Sequence, residues 1–266
     1  MELTLVIFTV LCQVAVGLTV MMALRQWRAS EGPTGPSLSN EWMVPGFVLL
    51  VALIVGTFHL GHPTGAPRAI VHLGTSWLSR EALAFMVFGV LIIVAFFALR
   101  KESANGRTLI KLTALVGLAA LFVSGMVYAP PSFPALNNDV PILFFVLTAF
   151  ILGSAFSSYF AEESKQRLLA NILLVSLIVG LVVNLLLPSI WLSGDKVMQM
   201  TGAAYYGSGL YWLRLAGEFG LGIAILGATK KIPFWLPVVL LAGELLGRIM
   251  VFTHVANTAS IMGSIY

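Results

Sequence analysis

Residues 58–81, FHLGHPTGAPRAIVHLGTSWLSRE, separate two runs of almost uninterrupted apolar residues. Three of the four histidines lie in this stretch, together with two arginines and one glutamate. Gly61 and Pro63 can end a helix and open the backbone, and Ser79 can cap the start of the next helix, which would make Glu81 its second residue. The stretch therefore predicts a polar connection between two helices and is the first candidate for a functional site.

The rest of the chain has the composition of an integral membrane protein. Of its 266 residues 59% are hydrophobic and only 10% are charged, and the mean hydropathy is +0.96. A soluble domain carries about 25% charged residues. The single cysteine, Cys12, lies in an apolar run, which excludes a disulfide framework and a thiolate metal site. We therefore predict no metal site.

Apolar segments of sufficient length recur along the whole chain. A spanning helix needs about 20 mostly apolar residues. Eight segments meet this requirement, so we predict one transmembrane domain over residues 1–266, an all-α integral membrane bundle of eight transmembrane helices. The predicted spans are 3–24, 42–60, 81–99, 109–129, 141–160, 168–190, 209–229 and 234–255.

The basic residues between these spans predict the orientation of the bundle. Ten lysines and arginines lie in the odd-numbered loops and their flanks, against three in the even-numbered loops. Since cytoplasmic loops carry the excess of Lys and Arg, we expect the odd loops in the cytoplasm. Both termini, and the stretch 58–81, are then expected on the outer (periplasmic) side.

Charged residues also occur inside the last two predicted spans. Arg214 and Glu218 lie in the seventh, and Glu244 and Arg248 lie in the eighth, with His254 near its outer end. Each Arg/Glu pair is spaced four residues apart and so lies on one helix face. A charge near the bilayer centre costs roughly 2.5–3.5 kcal/mol, so we expect pairing within each helix or across the two.

This intramembrane charge cluster is open to two interpretations. One is a structural clamp between the seventh and eighth helices. The other is a polar path or pocket wall, which would suit a small secondary transporter with an Arg/Glu coupling site.

His59 and Glu81 are brought together by the ends of two adjacent predicted helices. An imidazole can accept a proton from a quinol hydroxyl, and a nearby carboxylate can take the second proton. We therefore predict these two residues as the reactive groups of a quinol site. His62 and His72 are expected to be solvated loop residues. Only His59 and His254 approach helix positions, which weakly supports a bis-histidine haem, and we predict that none is bound.

Three short segments carry a family resemblance: HLGHP at 59–63, LSRE at 78–81 and LAGELLGR at 241–248. They resemble motifs of the dimethyl sulfoxide reductase membrane-anchor family. The resemblance implies an anchor without haem in the cytoplasmic (inner) membrane of a bacterium or archaeon. It further implies oxidation of menaquinol and transfer of electrons to an iron–sulfur subunit, which feeds a molybdopterin catalytic subunit.

By motif position, the resemblance implies that His59 contacts the quinol and that Glu81 is its companion. The residues predicted around the quinone are His59, Gly61, Pro63, Arg68, Trp77, Ser79, Arg80 and Glu81. The chain departs from the family pattern at His62, at Thr64–Ala66 and at Arg80, which leaves the quinone type and the oxidant open. Anchors that pass electrons toward quinone also belong to this family, so the reverse direction stays an alternative.

Overall fold

The computed structural model describes residues 3–27, 36–58, 70–103 and 105–259. Within these ranges the chain is helical. Its helices are α1 (Leu3–Trp27), α2 (Pro36–Thr57), α3 (Trp77–Arg100), α4 (Gly106–Val127), α5 (Val140–Ser157), α6 (Glu163–Leu192), α7 (Lys196–Gly207), α8 (Gly209–Thr229) and α9 (Leu236–His254). Eight of them, all but α7, are long and apolar enough to cross a membrane, which confirms the predicted helical membrane bundle. The sidedness of the termini stays a prediction.

Helix α1 lies at the centre of the bundle. It is apolar on all faces, as expected of a buried helix, and 78% of the residues in its 18-residue apolar segment are buried. It packs against α2, α4, α5 and α9. Its Gly17 meets Gly153 of α5 so closely that a Cβ atom on Gly17 would overlap the carbonyl oxygen of Ala149. Small residues thus allow the two backbones to touch.

Two apolar cores lie on either side of α1. The first is formed with α2–α4 and contains the buried rings of Trp42, Phe85 and Phe88. The Trp42 indole N–H donates to the carbonyl oxygen of Ile92 over 2.8 Å, which ties α2 to α3. The second core is formed with α5–α9 and contains Trp191 and Tyr211. The bundle therefore has two halves that share α1.

The start of α3 differs from the prediction. The helix begins at Trp77, and its N-cap is Ser76, whose side chain accepts a hydrogen bond from the Ser79 N–H over 3.4 Å. The prediction that Ser79 is the cap is therefore wrong. Both serines suit a cap, and the earlier one is used, so that Ser79 is buried inside the first turn. As a result, Glu81 is the fifth helical residue and not the second.

Helix α7 was not expected, because the residues between the predicted spans 168–190 and 209–229 were predicted to form a loop. Asp195 caps this helix, and its carboxylate accepts from the Met198 N–H over 2.9 Å. The Thr201 hydroxyl of α7 accepts from the Ala256 N–H over 3.0 Å. Helix α7 therefore covers the end of the bundle where α9 terminates.

The middle of α8 is a π-helical turn, Leu215–Gly220, between two α-helical segments. Such turns are rare and occur frequently at functional sites. The turn contains Glu218 and directly follows Arg214. The charged part of α8 is thus also the part whose backbone departs from the α-helix.

Candidate functional site

Glu81 is a buried carboxylate in the first core. It lies about 6 Å along α3 from the first helical residue, and its residue surface is 3% exposed. The hydroxyl of Ser124, near the end of α4, donates to Glu81 Oε1 over 2.5 Å. Among the described residues, no cation lies within ion-pair distance of Glu81. The carboxyl group is therefore held by a neutral donor and keeps its second oxygen, Oε2, free of described partners.

Trp77 and Arg80 form a separate arrangement at the start of α3. The guanidinium carbon of Arg80 lies 4.4 Å from the centroid of the Trp77 ring, in a cation–π contact. Arg80 also donates to the carbonyl oxygens of Leu73 and Gly74, over 2.9 and 2.8 Å. This residue therefore fastens the preceding turn to the helix.

The described residues include only part of the predicted quinone site. Of the predicted set, Trp77, Ser79, Arg80 and Glu81 are described. The other predicted residues lie outside the described ranges, as does His62; they are His59, Gly61, Pro63 and Arg68. His72 is exposed, and its carbonyl oxygen accepts from the N–H groups of Thr75 and Ser76. This position agrees with the expectation that His72 is a solvated turn residue.

The second polar site is centred on Arg214 in α8. Its Nε donates to Glu218 Oε2 over 2.7 Å, and its Nη2 donates to Glu244 Oε2 of α9 over 3.4 Å. Its Nη1 donates to Asn184 Oδ1 of α6 over 3.0 Å. The hydroxyl of Thr148 in α5 also donates to Glu244 Oε2, over 2.7 Å. One guanidinium thus joins three helices, and a fourth reaches it through Glu244.

Arg248 has different partners from those that its spacing suggested. Its Nη2 donates to Gln13 Oε1 of α1 over 2.9 Å, and its guanidinium carbon lies 4.2 Å from the ring centroid of Phe145. Among the described residues, no ion pair joins Arg248 to Glu244, which pairs with Arg214 instead. Pairing therefore occurs within α8 and across α8 and α9, while Arg248 connects α9 to the central helix.

Two glycines of α9 make room for this cluster. A Cβ atom on Gly247 would overlap the guanidinium carbon of Arg214, and one on Gly243 would lie 2.6 Å from the side chain of Glu218. The Arg214 and Glu218 side chains therefore rest directly on the backbone of α9. The spacing of four residues puts both glycines on the same face of the helix.

A small cavity of about 20 Å³ lies beside the cluster and is lined by Asn184, Tyr205, Arg214, Glu244 and Arg248, among others. This volume holds about one water molecule and no larger solute. Burial raises the pKa of the Tyr205 phenol, so this group is neutral at physiological pH. The Tyr205 ring also contacts the ring of His254, with a centroid distance of 6.1 Å.

Three buried polar atoms of the cluster and of its partner Gln13 have no hydrogen-bond partner among the described residues: Gln13 Nε2, Glu218 Oε1 and Arg248 Nε. Unpaired polar atoms at such depth are a natural place for an ordered water molecule. The small volume and the mutual pairing of the charges favour the structural clamp over a transport pathway.

Several polar partners in both sites were missed by the sequence analysis. Ser124, Thr148, Asn184 and Gln13 are polar residues whose immediate neighbours in the sequence are apolar. A polar residue within a membrane span is expected to find a hydrogen-bonding partner, so the signal was present. The sequence separations of these pairs, from 30 to 235 residues, are what concealed the partners. Within the described part of the chain, no group of three or more His, Cys, Asp or Glu residues could hold a metal ion.

The helices and these buried groups define a polytopic membrane protein whose polar chemistry lies inside the spans. Residues 1–215 match the model of a family described as "DMSO reductase anchor subunit (DmsC)", and the chain belongs to this family. The family resemblance predicted from the short motifs is therefore confirmed. The matched residues include Glu81 and Ser124 and end within the π-helical turn, before Glu218.

Two curated relatives support the same assignment. The protein is 29% identical over 170 residues to the C chain of the anaerobic dimethyl sulfoxide reductase of Haemophilus influenzae, which covers 62% of this protein and 61% of the relative. It is 27% identical over 156 residues to the YnfH chain of an anaerobic dimethyl sulfoxide reductase of Escherichia coli K12, covering 57% and 55%. The matched regions thus span less than two thirds of each relative.

Proposed function

We propose that this chain is the quinol-oxidising membrane anchor of a molybdopterin and iron–sulfur oxidoreductase. Membership of the anchor family supports the role as a membrane subunit. The observation that carries the proposal is Glu81, a buried carboxyl group with a neutral hydroxyl partner and no described counter-charge. A buried carboxylate without a cation is unfavourable as a purely structural element, because its charge is not compensated.

Oxidation of a quinol to a quinone releases two protons and two electrons. In this proposal His59 accepts the hydrogen bond and one proton from a quinol hydroxyl, and Glu81 accepts the other. The proton acceptor is Oε2, which has no hydrogen-bond partner among the described residues, whereas Oε1 already accepts from the Ser124 hydroxyl. Ser124 therefore orients the carboxyl group.

The two electrons pass to an iron–sulfur subunit docked at the same end of the bundle, and from there to a molybdopterin catalytic subunit. Menaquinol is the proposed substrate, and the protons leave on the outer side of the inner membrane. The same groups can deliver protons to a quinone, so the reverse direction uses the same site. Trp77 and Arg80 form part of the entrance, where their cation–π contact fixes the start of α3.

The experiment measures two activities in the same membranes. Quinol-driven reduction of the terminal substrate tests the site in this chain, whereas a reduced artificial dye supplies the extrinsic subunits directly. His59→Arg is expected to abolish the quinol-driven rate and to preserve the dye-driven rate. Glu81→Gln should show the same split in milder form, because an amide keeps the hydrogen bond but cannot accept a proton.

The matched control is Glu162→Gln, an exposed carboxylate outside the spans, which should leave both rates unchanged. Normal quinol oxidation in His59→Arg would refute the site. A parallel fall of both rates with loss of the complex would assign these residues a structural role.

The proposal also states which cofactors the purified anchor carries. We expect no haem, so the reduced protein should show no b-type absorption bands. We also expect iron and molybdenum to co-purify with the chain, in its partner subunits. A secondary transporter would not require such subunits. A stoichiometric b-type spectrum, or purification of the chain alone from intact membranes, would contradict this assignment.

A further inference from the structure

We propose that a cavity at the opposite end of the bundle binds the phosphate head group of an anionic phospholipid. The cavity measures about 760 Å³ and lies between the α5–α6 and α8–α9 connections. Its lining includes Arg167, Lys230 and Lys231, together with the aromatic rings of Tyr159 and Phe234. The proposed quinol chemistry does not involve this region.

Hydrogen bonds fix the walls of this cavity. The Gln166 amide donates to the carbonyl oxygens of Ser158 and Ala161, over 2.7 and 2.9 Å, which holds the α5–α6 connection in shape. The Tyr159 hydroxyl donates to the carbonyl oxygen of Phe234 over 2.6 Å and so ties that connection to the next one. The concave surface is therefore built by contacts between two loops.

The charge in the cavity is positive and largely uncompensated. Among the described residues, Arg167 and Lys230 have no ion-pair partner. Lys231 lies 3.9 Å from Glu163, but their side chains are 79% and 93% exposed, so this pair is weak. Three cations thus face one carboxylate, and the balance favours an anionic ligand.

The backbone of Lys230 adopts the left-handed conformation, with φ of 55°, and its N–H donates to the Leu226 carbonyl oxygen over 2.9 Å. This cap ends α8 abruptly. The position of Lys230 is therefore set by the end of the helix and does not depend on a flexible loop.

The aromatic residues indicate an amphipathic ligand. Phe234 is 82% exposed and Trp235 is 47% exposed at the start of α9. Exposed aromatic rings beside the end of a membrane helix belong at the level of the lipid head groups. A phosphate in the cavity would then lie at head-group depth, with its acyl chains along the apolar helices. Basic pockets between membrane helices bind anionic lipid head groups in this way.

Two alternatives to a bound lipid lead to different results. The basic residues could be solvated signals of topology, with no ligand. Alternatively, the cavity could take free inorganic phosphate, which shares the head-group chemistry. The experiment therefore compares phosphatidylglycerol, phosphatidylcholine and inorganic phosphate on the detergent-purified protein with whichever subunits accompany it. Native mass spectrometry measures bound lipid, and thermal unfolding measures stabilisation.

The test variant is the double substitution Arg167→Gln/Lys230→Gln, which leaves a basic residue in each connection, Lys165 and Lys231. The matched control, Arg100→Gln/Lys101→Gln, removes the same charge from the α3–α4 connection. We expect the wild type to bind phosphatidylglycerol and not phosphatidylcholine, with no displacement by inorganic phosphate. Each lost cation should weaken binding about fivefold, and the double variant about 25-fold. The control should bind as the wild type does.

Equal weakening in the test and control variants would overturn the proposal in favour of general surface attraction. Full displacement by inorganic phosphate would overturn it in favour of a soluble anion. If the double variant does not accumulate, Lys230→Gln alone should still bind about fivefold more weakly. An unchanged affinity in that single variant would refute the site.

Discussion

Glu81 in the first half of the bundle and Glu244 in the second are both buried carboxylates, but their surroundings differ. Glu244 accepts hydrogen bonds from Arg214 and Thr148, and two further charged side chains lie in the same cluster. Among the described residues, Glu81 accepts a single hydrogen bond, from the neutral hydroxyl of Ser124. The second half therefore compensates its charges internally, whereas the first half leaves a carboxyl group uncompensated among the described residues.

This difference distinguishes a carboxyl group that stabilises the fold from a carboxyl group that can react. In a compensated cluster, the charged side chains pair with one another and hold the helices together. Removing one member leaves its partners buried without a counter-charge. An uncompensated carboxyl group contributes little to stability but can exchange a proton with a substrate. Variants in the two halves should therefore fail in opposite ways, one in folding and the other in activity.

The largest effect is expected for Gly247→Leu. The added side chain would occupy the position of the Arg214 guanidinium and separate it from both glutamates. Overpacking costs about 1–3 kcal/mol, and leaving buried charges unpaired costs about 3–5 kcal/mol more. We expect little folded protein in the membrane. The control is Gly227→Leu on α8, where no other atom lies within 4 Å of an added Cβ. Equal yields for the two would contradict the close packing of α9 against the cluster.

A smaller loss of stability is expected for Glu244→Gln. This change removes one of two carboxylates from Arg214, and the remaining contact with Glu218 keeps the cost near the lower end, about 3 kcal/mol. Unfolding of the purified protein in detergent measures the difference. Glu162→Gln, at an exposed position, should change stability by less than about 0.5 kcal/mol. If the two variants were equally stable, Glu244 would not belong to a buried pair.

For Glu81→Gln, the same unfolding measurement should show a loss of stability of at most about 1 kcal/mol. The loss is small because the amide oxygen can still accept the Ser124 hydrogen bond. Quinol oxidation in this variant should nevertheless fall. Glu81→Gln would then lose activity and keep its stability, whereas Glu244→Gln is expected to lose stability. A loss of stability as large as that of Glu244→Gln would show that the two carboxylates have the same structural role.

The smallest effect is expected for His72→Ala, at an exposed turn where His72 contributes its backbone carbonyl to two hydrogen bonds. Stability should change by less than about 0.5 kcal/mol, and quinol oxidation should stay normal. Quinol oxidation is measured in membranes that contain His72→Ala and, for comparison, in membranes that contain His59→Arg. A clear loss of quinol oxidation in His72→Ala would extend the site along the turn.

The sequence predicted the number and type of spanning helices because apolar length alone determines which segments cross a bilayer. It was less reliable at helix ends. Ser76 and Ser79 have the same capping chemistry, and only the packing of Ser79 into the first turn decides between them. Helix α7 was missed because its 12 residues are too few to span a membrane, although Asp195 at its start is a strong capping signal.

The cluster was predicted as a set of residues but not as a set of contacts. Spacing alone paired Arg248 with Glu244, since both lie on one face of α9. The structure instead turns Arg248 toward Gln13 on α1, because α9 packs against the central helix. A periodicity argument cannot identify that partner, which lies 235 residues away. Gly243 and Gly247 lie in the LAGELLGR segment, but the sequence does not show that they make room for Glu218 and Arg214.

The hydrogen bond between Arg248 and Gln13 also bears on the order in which the protein is synthesised and inserted. Helix α8 enters the membrane with its own counter-charge, because Glu218 is on the same helix as Arg214 and Asn184 is already present in α6. Glu244 therefore reaches a cation that is already in place. Arg248 follows in the last described helix and bonds to the central helix α1, so this contact forms only when α9 has been made.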